Sequence, residues 1–77
     1  MEESLRVLLA EVFNISPQEI QPDFAMRDYE QWDSLKHMEL IDALEKGFAI
    51  EFDFDEIVRM RDLNSIKAVL MSKELSN

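Results

Sequence analysis

One glycine and two prolines in 77 residues are too few turn residues for a β-rich fold, which needs a turn signal every ~8–12 positions. Helical spacing takes the place of turns. Leu5, Leu8, Leu9 and Val12 fall at i, i+3, i+4 and i+7, with Glu3, Arg6 and Glu11 off the stripe, the pattern of an amphipathic helix. Asn14 is placed to stop it. A second stripe runs through Leu35, Met38, Ile41, Leu44 and Phe48, joined by Leu40, with Lys36, Glu39, Asp42 and Glu45 between. Gly47 stands where a helix C-terminal signal is expected. A last stripe, Ile66, Val69 and Leu70, follows Asn64 or Ser65 as N-cap and leaves Lys67 and Lys73 exposed. Residues 53–58 suit a brief helical turn or short helix.

The stretch 14–33 breaks this regularity, and a connection that long in a small domain signals function or hidden structure. Ser16-Pro17-Gln18-Glu19 predicts one helical turn opened by a capping box, with Pro at N1 and Glu at N3. Phe24, Tyr29 and Trp32 then supply three aromatics to anchor the loop on the core. The fold expected is all-α in a single domain, 1–77, with three main helices, this loop between the first two and a helical turn or short helix before the last.

A net charge of −9 excludes nucleic acid as a partner, because phosphate-backbone affinity comes from Lys and Arg. It points instead to partners with basic surfaces. No apolar run reaches the ~18 residues needed to span a membrane. The start Met1-Glu2-Glu3 is acidic where a signal peptide is basic. With no cysteine, disulfides, thiolate metal sites and a catalytic thiol are removed. A cytoplasmic monomer is expected.

The chemistry concentrates at Asp33-Ser34-Leu35. Asp33 is a good N-cap, which makes Ser34 the first helical residue, its hydroxyl at an exposed helix end. Unpaired N–H donors and the helix dipole favour a phosphate there, while the Asp33 carboxylate opposes one. Read structurally, the same residues are an Asp cap and a helix-starting Ser. Other constellations are weaker. Ser34, His37 and Asp42 hint at a hydrolase triad, but the chain has little room for an oxyanion hole and a pocket. His37, the sole histidine, is expected at the surface or facing a partner. Asp53-Phe54-Asp55-Glu56 lacks the Gly and distal Glu of a calcium loop, and no residue set has metal-ligand spacing.

The stretch Trp32-Asp33-Ser34-Leu35-Lys36-His37-Met38-Glu39-Leu40-Ile41-Asp42-Ala43-Leu44-Glu45-Lys46-Gly47-Phe48 resembles the acyl carrier protein family. It shows Asp-Ser-Leu, then an apolar-Glu-Leu step, then Leu-Glu, then Phe opening the next loop. The first helix, the long loop, the short helix after Ile50-Glu51-Phe52 and the entry Leu63-Asn64-Ser65-Ile66 extend the similarity over nearly the whole chain. The resemblance implies a small four-helix bundle with a short third helix, and a carrier and not a catalyst. Ser34 would hold 4'-phosphopantetheine through a phosphodiester, installed by a separate phosphopantetheinyl transferase, and the arm's thiol would carry acyl groups as thioesters. It further implies that the second helix faces partners, acyl- or aminoacyl-activating and transfer enzymes, through Asp33, Leu35, Met38, Glu39, Asp42 and Glu45. Leu35 and Met38 also fit the core stripe.

Several positions depart from primary fatty-acid carriers: Trp32, Lys36, His37 and Asp42, with Arg59 and Arg61 in a segment the family often keeps acidic. They suggest a specialised carrier, as in secondary-metabolite or cell-surface modification pathways. An aminoacyl or peptidyl carrier, or a non-carrier helical interaction domain, are the alternatives.

Overall fold

The computed structural model describes the backbone of residues 2–76 and the side chains of residues 3–73. Four α-helices follow one another: α1 (Glu2–Phe13), α2 (Ser34–Phe48), α3 (Phe54–Arg59) and α4 (Leu63–Ser76). Two single 3-10 turns, Pro17–Glu19 and Met26–Asp28, lie in the long loop. Among the described residues there is no β-strand, and no helix is long and apolar enough to cross a membrane. The all-α bundle with a long first loop and a short third helix matches the architecture expected from periodicity and from the family resemblance.

Asn14 ends α1 in the left-handed region at φ 58°, which Asn tolerates better than most residues. Its N–H donates to the Glu11 carbonyl at 3.3 Å and the Ile15 N–H to the Ala10 carbonyl at 2.9 Å, the paired bonds of a Schellman motif. The end of α2 differs from expectation. Gly47 lies inside the helix, and Ala49 takes the left-handed position at φ 55°, its N–H donating to the Glu45 carbonyl. Gly47 serves packing instead, since a Cβ there would stand 2.7 Å from Leu8 Cδ1 on α1. The start of α4 differs too. Neither Asn64 nor Ser65 caps it; Asp62 Oδ1 accepts from the Ser65 N–H at 2.7 Å, two or three residues earlier than the apolar spacing indicates.

One apolar cluster joins all four helices and the loop, with Leu5, Leu9, Phe13, Leu40, Leu44, Met60 and Ile66 fully buried. The loop aromatics pack as expected. Phe13 of α1 meets Phe24, Tyr29 and Trp32 at ring-centroid distances of 5.3, 5.4 and 5.3 Å, within the range of favourable aromatic pairs. Backbone bonds fix the loop to the α3–α4 connection. The Met26 N–H donates to the Arg61 carbonyl and the Leu63 N–H to the Phe24 carbonyl, both at 2.8 Å, around an antiparallel bridge between Ala25 and Asp62. At the loop's start, the Glu19 carboxylate accepts the Ser16 N–H at 2.8 Å in the capping arrangement read from sequence.

α3 has only six residues, so its own backbone bonds cannot hold it. Asp53 and Glu56 form a capping box, with the Asp53 N–H donating to Glu56 Oε1 at 2.8 Å. Lys73 of α4 reaches the same carboxyl oxygen at 2.7 Å and lies over the Phe52 ring at 5.6 Å. Lys73 is therefore drawn in against α3, not exposed as its position on the α4 stripe suggests, and Lys67 is half-buried too. The Lys73 ammonium, then the Asp53 N–H, holds the Glu56 carboxyl below its ordinary range.

Candidate functional site at the start of α2

The loop delivers the chain to α2 in extended conformation at Asp33, with φ −95° and ψ −173°. Asp33 Oδ1 accepts the Lys36 N–H at 2.9 Å, and the Asp33 carbonyl accepts the His37 N–H at 2.8 Å. That is the N-cap expected from the residue type. Ser34 is the first helical residue and is exposed. Helix geometry leaves the N–H groups of Ser34 and Leu35 without intrahelical acceptors. The hydroxyl therefore stands at the positive end of a 15-residue helix.

His37 overturns the expectation of a surface histidine. It is only 9% exposed, and both ring nitrogens are engaged. The Trp32 indole N–H donates to His37 Nδ1 at 3.0 Å, and His37 Nε2 meets the Ile57 carbonyl of α3 at 2.8 Å. An indole nitrogen can only donate and a carbonyl can only accept. The pairing thus assigns the neutral ring with its proton on Nε2. The signal was present in the helical spacing: His37, Leu40, Ile41 and Leu44 fall at i, i+3, i+4 and i+7, and these four are the buried face of α2. With the stripe turned this way, Leu35 and Met38 leave the core, 73% and 55% exposed on either side of the Ser34 turn.

The acidic residues of α2 are largely occupied within the chain. Lys36 Nζ binds Glu39 Oε2 at 2.9 Å and the Val12 carbonyl of α1 at 3.3 Å. Lys46 Nζ binds Asp42 Oδ2 at 3.0 Å, an i, i+4 pair. Glu45 is half-buried, and its Oε2 accepts the Phe52 N–H at 3.0 Å, tying the following loop to the helix. The structure thus leaves Leu35, Met38, Glu39 and Asp42 exposed along α2, while Glu45 turns towards the α2–α3 loop.

A cavity of about 230 Å³ adjoins Ser34, lined by Met26, His37, Met38, Ile57, Val58 and Arg61 besides the serine itself. Arg61 is held at its rim, with Nε donating to the Val58 carbonyl at 3.0 Å. Phe54 and Val58 of α3 add exposed apolar surface, Phe54 being 77% exposed. Sequence reasoning missed Phe54 and Val58, because six residues are too short a window to distinguish an inner from an outer face. A larger groove of about 860 Å³ lies between α1 and α2, among Val7, Leu8, Val12 and Phe48, but does not include Ser34. Among the described residues no group of three or more His, Asp or Glu is arranged to hold a metal.

The chain matches the family model described as the phosphopantetheine attachment site over residues 3–70, most of its length. It belongs to the phosphopantetheine-binding carrier family. No curated protein matches the sequence. The prosthetic group of this family of carriers is 4'-phosphopantetheine, and the start of α2 suits such a group. An exposed hydroxyl, a helix N-terminus towards a phosphodiester, and a small apolar cavity with an arginine at its rim stand together there.

Proposed function

We propose that Ser34 is the attachment point of the 4'-phosphopantetheine arm and that the protein is an acyl carrier, which partner enzymes modify and use and which catalyses nothing itself. The observation that carries this reading is Ser34, an exposed hydroxyl at the first position of α2, just past an occupied Asp33 cap. The arm, when attached, supplies a terminal thiol that holds the cargo as a thioester. The chain's own residues do the holding. Asp33 fixes the first turn of α2 and keeps the Ser34 hydroxyl turned out, so a transferase can approach it. The helix N-terminus offsets the phosphodiester charge that Asp33 opposes. With no cysteine in the chain, the arm's thiol has no competitor for the acyl group.

Leu35 and Met38, exposed beside Ser34, support a partner surface on α2 that is apolar at its centre. Glu39 and Asp42 border it as carboxylates already paired with Lys36 and Lys46. Glu45 contributes least, since its carboxylate is bound to the Phe52 N–H. The partners in this reading are a phosphopantetheinyl transferase and acyl-activating and transfer enzymes with basic surfaces, acting on a cytoplasmic monomer. An aminoacyl or peptidyl carrier would use the same residues and differ in cargo.

The test is intact mass after incubation with coenzyme A and a broad-specificity transferase. Wild type is expected to gain one phosphopantetheine and Ser34→Ala none. Absence of the gain in wild type, or its persistence in Ser34→Ala, refutes the assignment.

A further inference from the structure

We infer that this carrier keeps the alkyl chain of its cargo outside its core, because the hydrogen-bonded series Trp32–His37–Ile57 closes the route from Ser34 inwards. The inference rests on Ser34 as the attachment point and concerns where the cargo of that same site lies. A cavity of about 230 Å³ adjoins Ser34. His37 lines this cavity and also heads the buried face that continues through Leu40, Ile41 and Leu44. An alkyl chain passing between α2 and α3 from the Ser34 side therefore has to displace the imidazole.

Displacement strands two groups at once. The Trp32 N–H loses its acceptor at 3.0 Å and the Ile57 carbonyl loses its donor at 2.8 Å. Trp32 is only 2% exposed, so water does not reach its ring freely, and the Ile57 bond is part-buried. A methylene chain offers neither donor nor acceptor, whereas an unmade buried hydrogen bond is penalised in full. The ring stacking of Trp32 on His37, with centroids 6.0 Å apart, fills the space behind the imidazole. His37 is thus a positioning residue, which acts by holding α3 against α2.

The test compares acetyl- and octanoyl-loaded protein, each made with a promiscuous transferase from the corresponding acyl-coenzyme A. Intact mass confirms loading first; failure to load at Ser34 sinks the carrier assignment and is distinguished in this way from any effect of chain length. On the loaded forms, carbon-13 methyl spectra of Leu40, Ile41 and Met60 are recorded. In wild type the methyl shifts of the two forms should coincide, and hydroxylamine should release both acyl groups as fast as from free acyl-pantetheine. In His37→Ala, the octanoyl form alone should move the Leu40 and Met60 methyls and resist hydroxylamine, the acetyl form staying as in wild type. Trp32→Phe keeps an aromatic ring but removes the indole N–H together with part of the ring volume beside His37, and should show the same chain-length dependence should His37→Ala fail to fold. Contacts between the octanoyl chain and Leu40 or Met60 in wild type overturn the inference. So does continued exclusion of octanoyl from every variant that folds.

Discussion

The backbone turns at Asn14 and Ala49 do the same geometric job with unequal residues. Both sit in the left-handed region, at φ 58° and 55°, where a Cβ meets the following carbonyl at a cost of roughly 1–2 kcal/mol for most L-residues. Asn relieves part of this with its short polar side chain; Ala has nothing to offer. Ala49→Gly should therefore stabilise the protein by about 0.5–1 kcal/mol, the relief of strain less the extra chain entropy glycine loses on folding. Urea denaturation measures it, and a loss of stability would show that Ala49 is held without strain. The sequence pointed to Gly47 for this turn, because glycine is the usual residue there. Nothing local reveals that Leu8 on another helix claims that position. His37 was misplaced for a related reason: a titratable side chain counts as polar until its two partners, Trp32 and Ile57, are known.

At the scale of the element, α3 depends on what grips it. The Asp53–Glu56 capping box was visible as a pattern of acids, whereas Lys73 arrives from α4 and was expected in solvent. Side-chain exposures of 23% for Lys73 and 16% for Glu56 make this pair less screened than the pairs on α2. The Glu56 carboxyl is held below its ordinary range, chiefly by Lys73. A depressed carboxyl contributes stability that is complete above the unfolded-state pKa and disappears as pH falls through the folded value. Lys73→Met should thus cost about 1 kcal/mol at neutral pH, and the difference from wild type should shrink towards zero once Glu56 is protonated in both proteins. Paired urea titrations at neutral pH and well below the carboxylate range check this. A gap of constant size would mean that Lys73 acts through its contact with Phe52.

For the whole molecule, the long loop is as much core as connection. Phe24 is 8% exposed and packs against Phe13, Tyr29 and Trp32, so Phe24→Ala should cost about 3–5 kcal/mol. Against the ~4–12 kcal/mol total usual for a chain of this size, that is a large share, and thermal denaturation should show it as a sharply lowered midpoint. The helices, the loop aromatics and the Asp33-Ser34 start were legible because each is set by neighbours within a turn or by residue type. The bridge between Ala25 and Asp62 and the lock between α2 and α3 were not, since each depends on segments far apart in sequence.

The ion pairs along α2 bear on how this charged molecule meets others. A cationic partner that reaches Glu39 or Asp42 finds Lys36 or Lys46 already there, so docking swaps one ammonium for another and the carboxylate gains little. The overall charge of −9 still acts at a distance. Its contribution falls on the speed of encounter, which salt slows. On the partner surface proposed for α2, how long the complex lasts is set by Leu35 and Met38, which ions do not screen. On that proposal the molecule is found quickly and released readily, as suits something passed from one enzyme to the next.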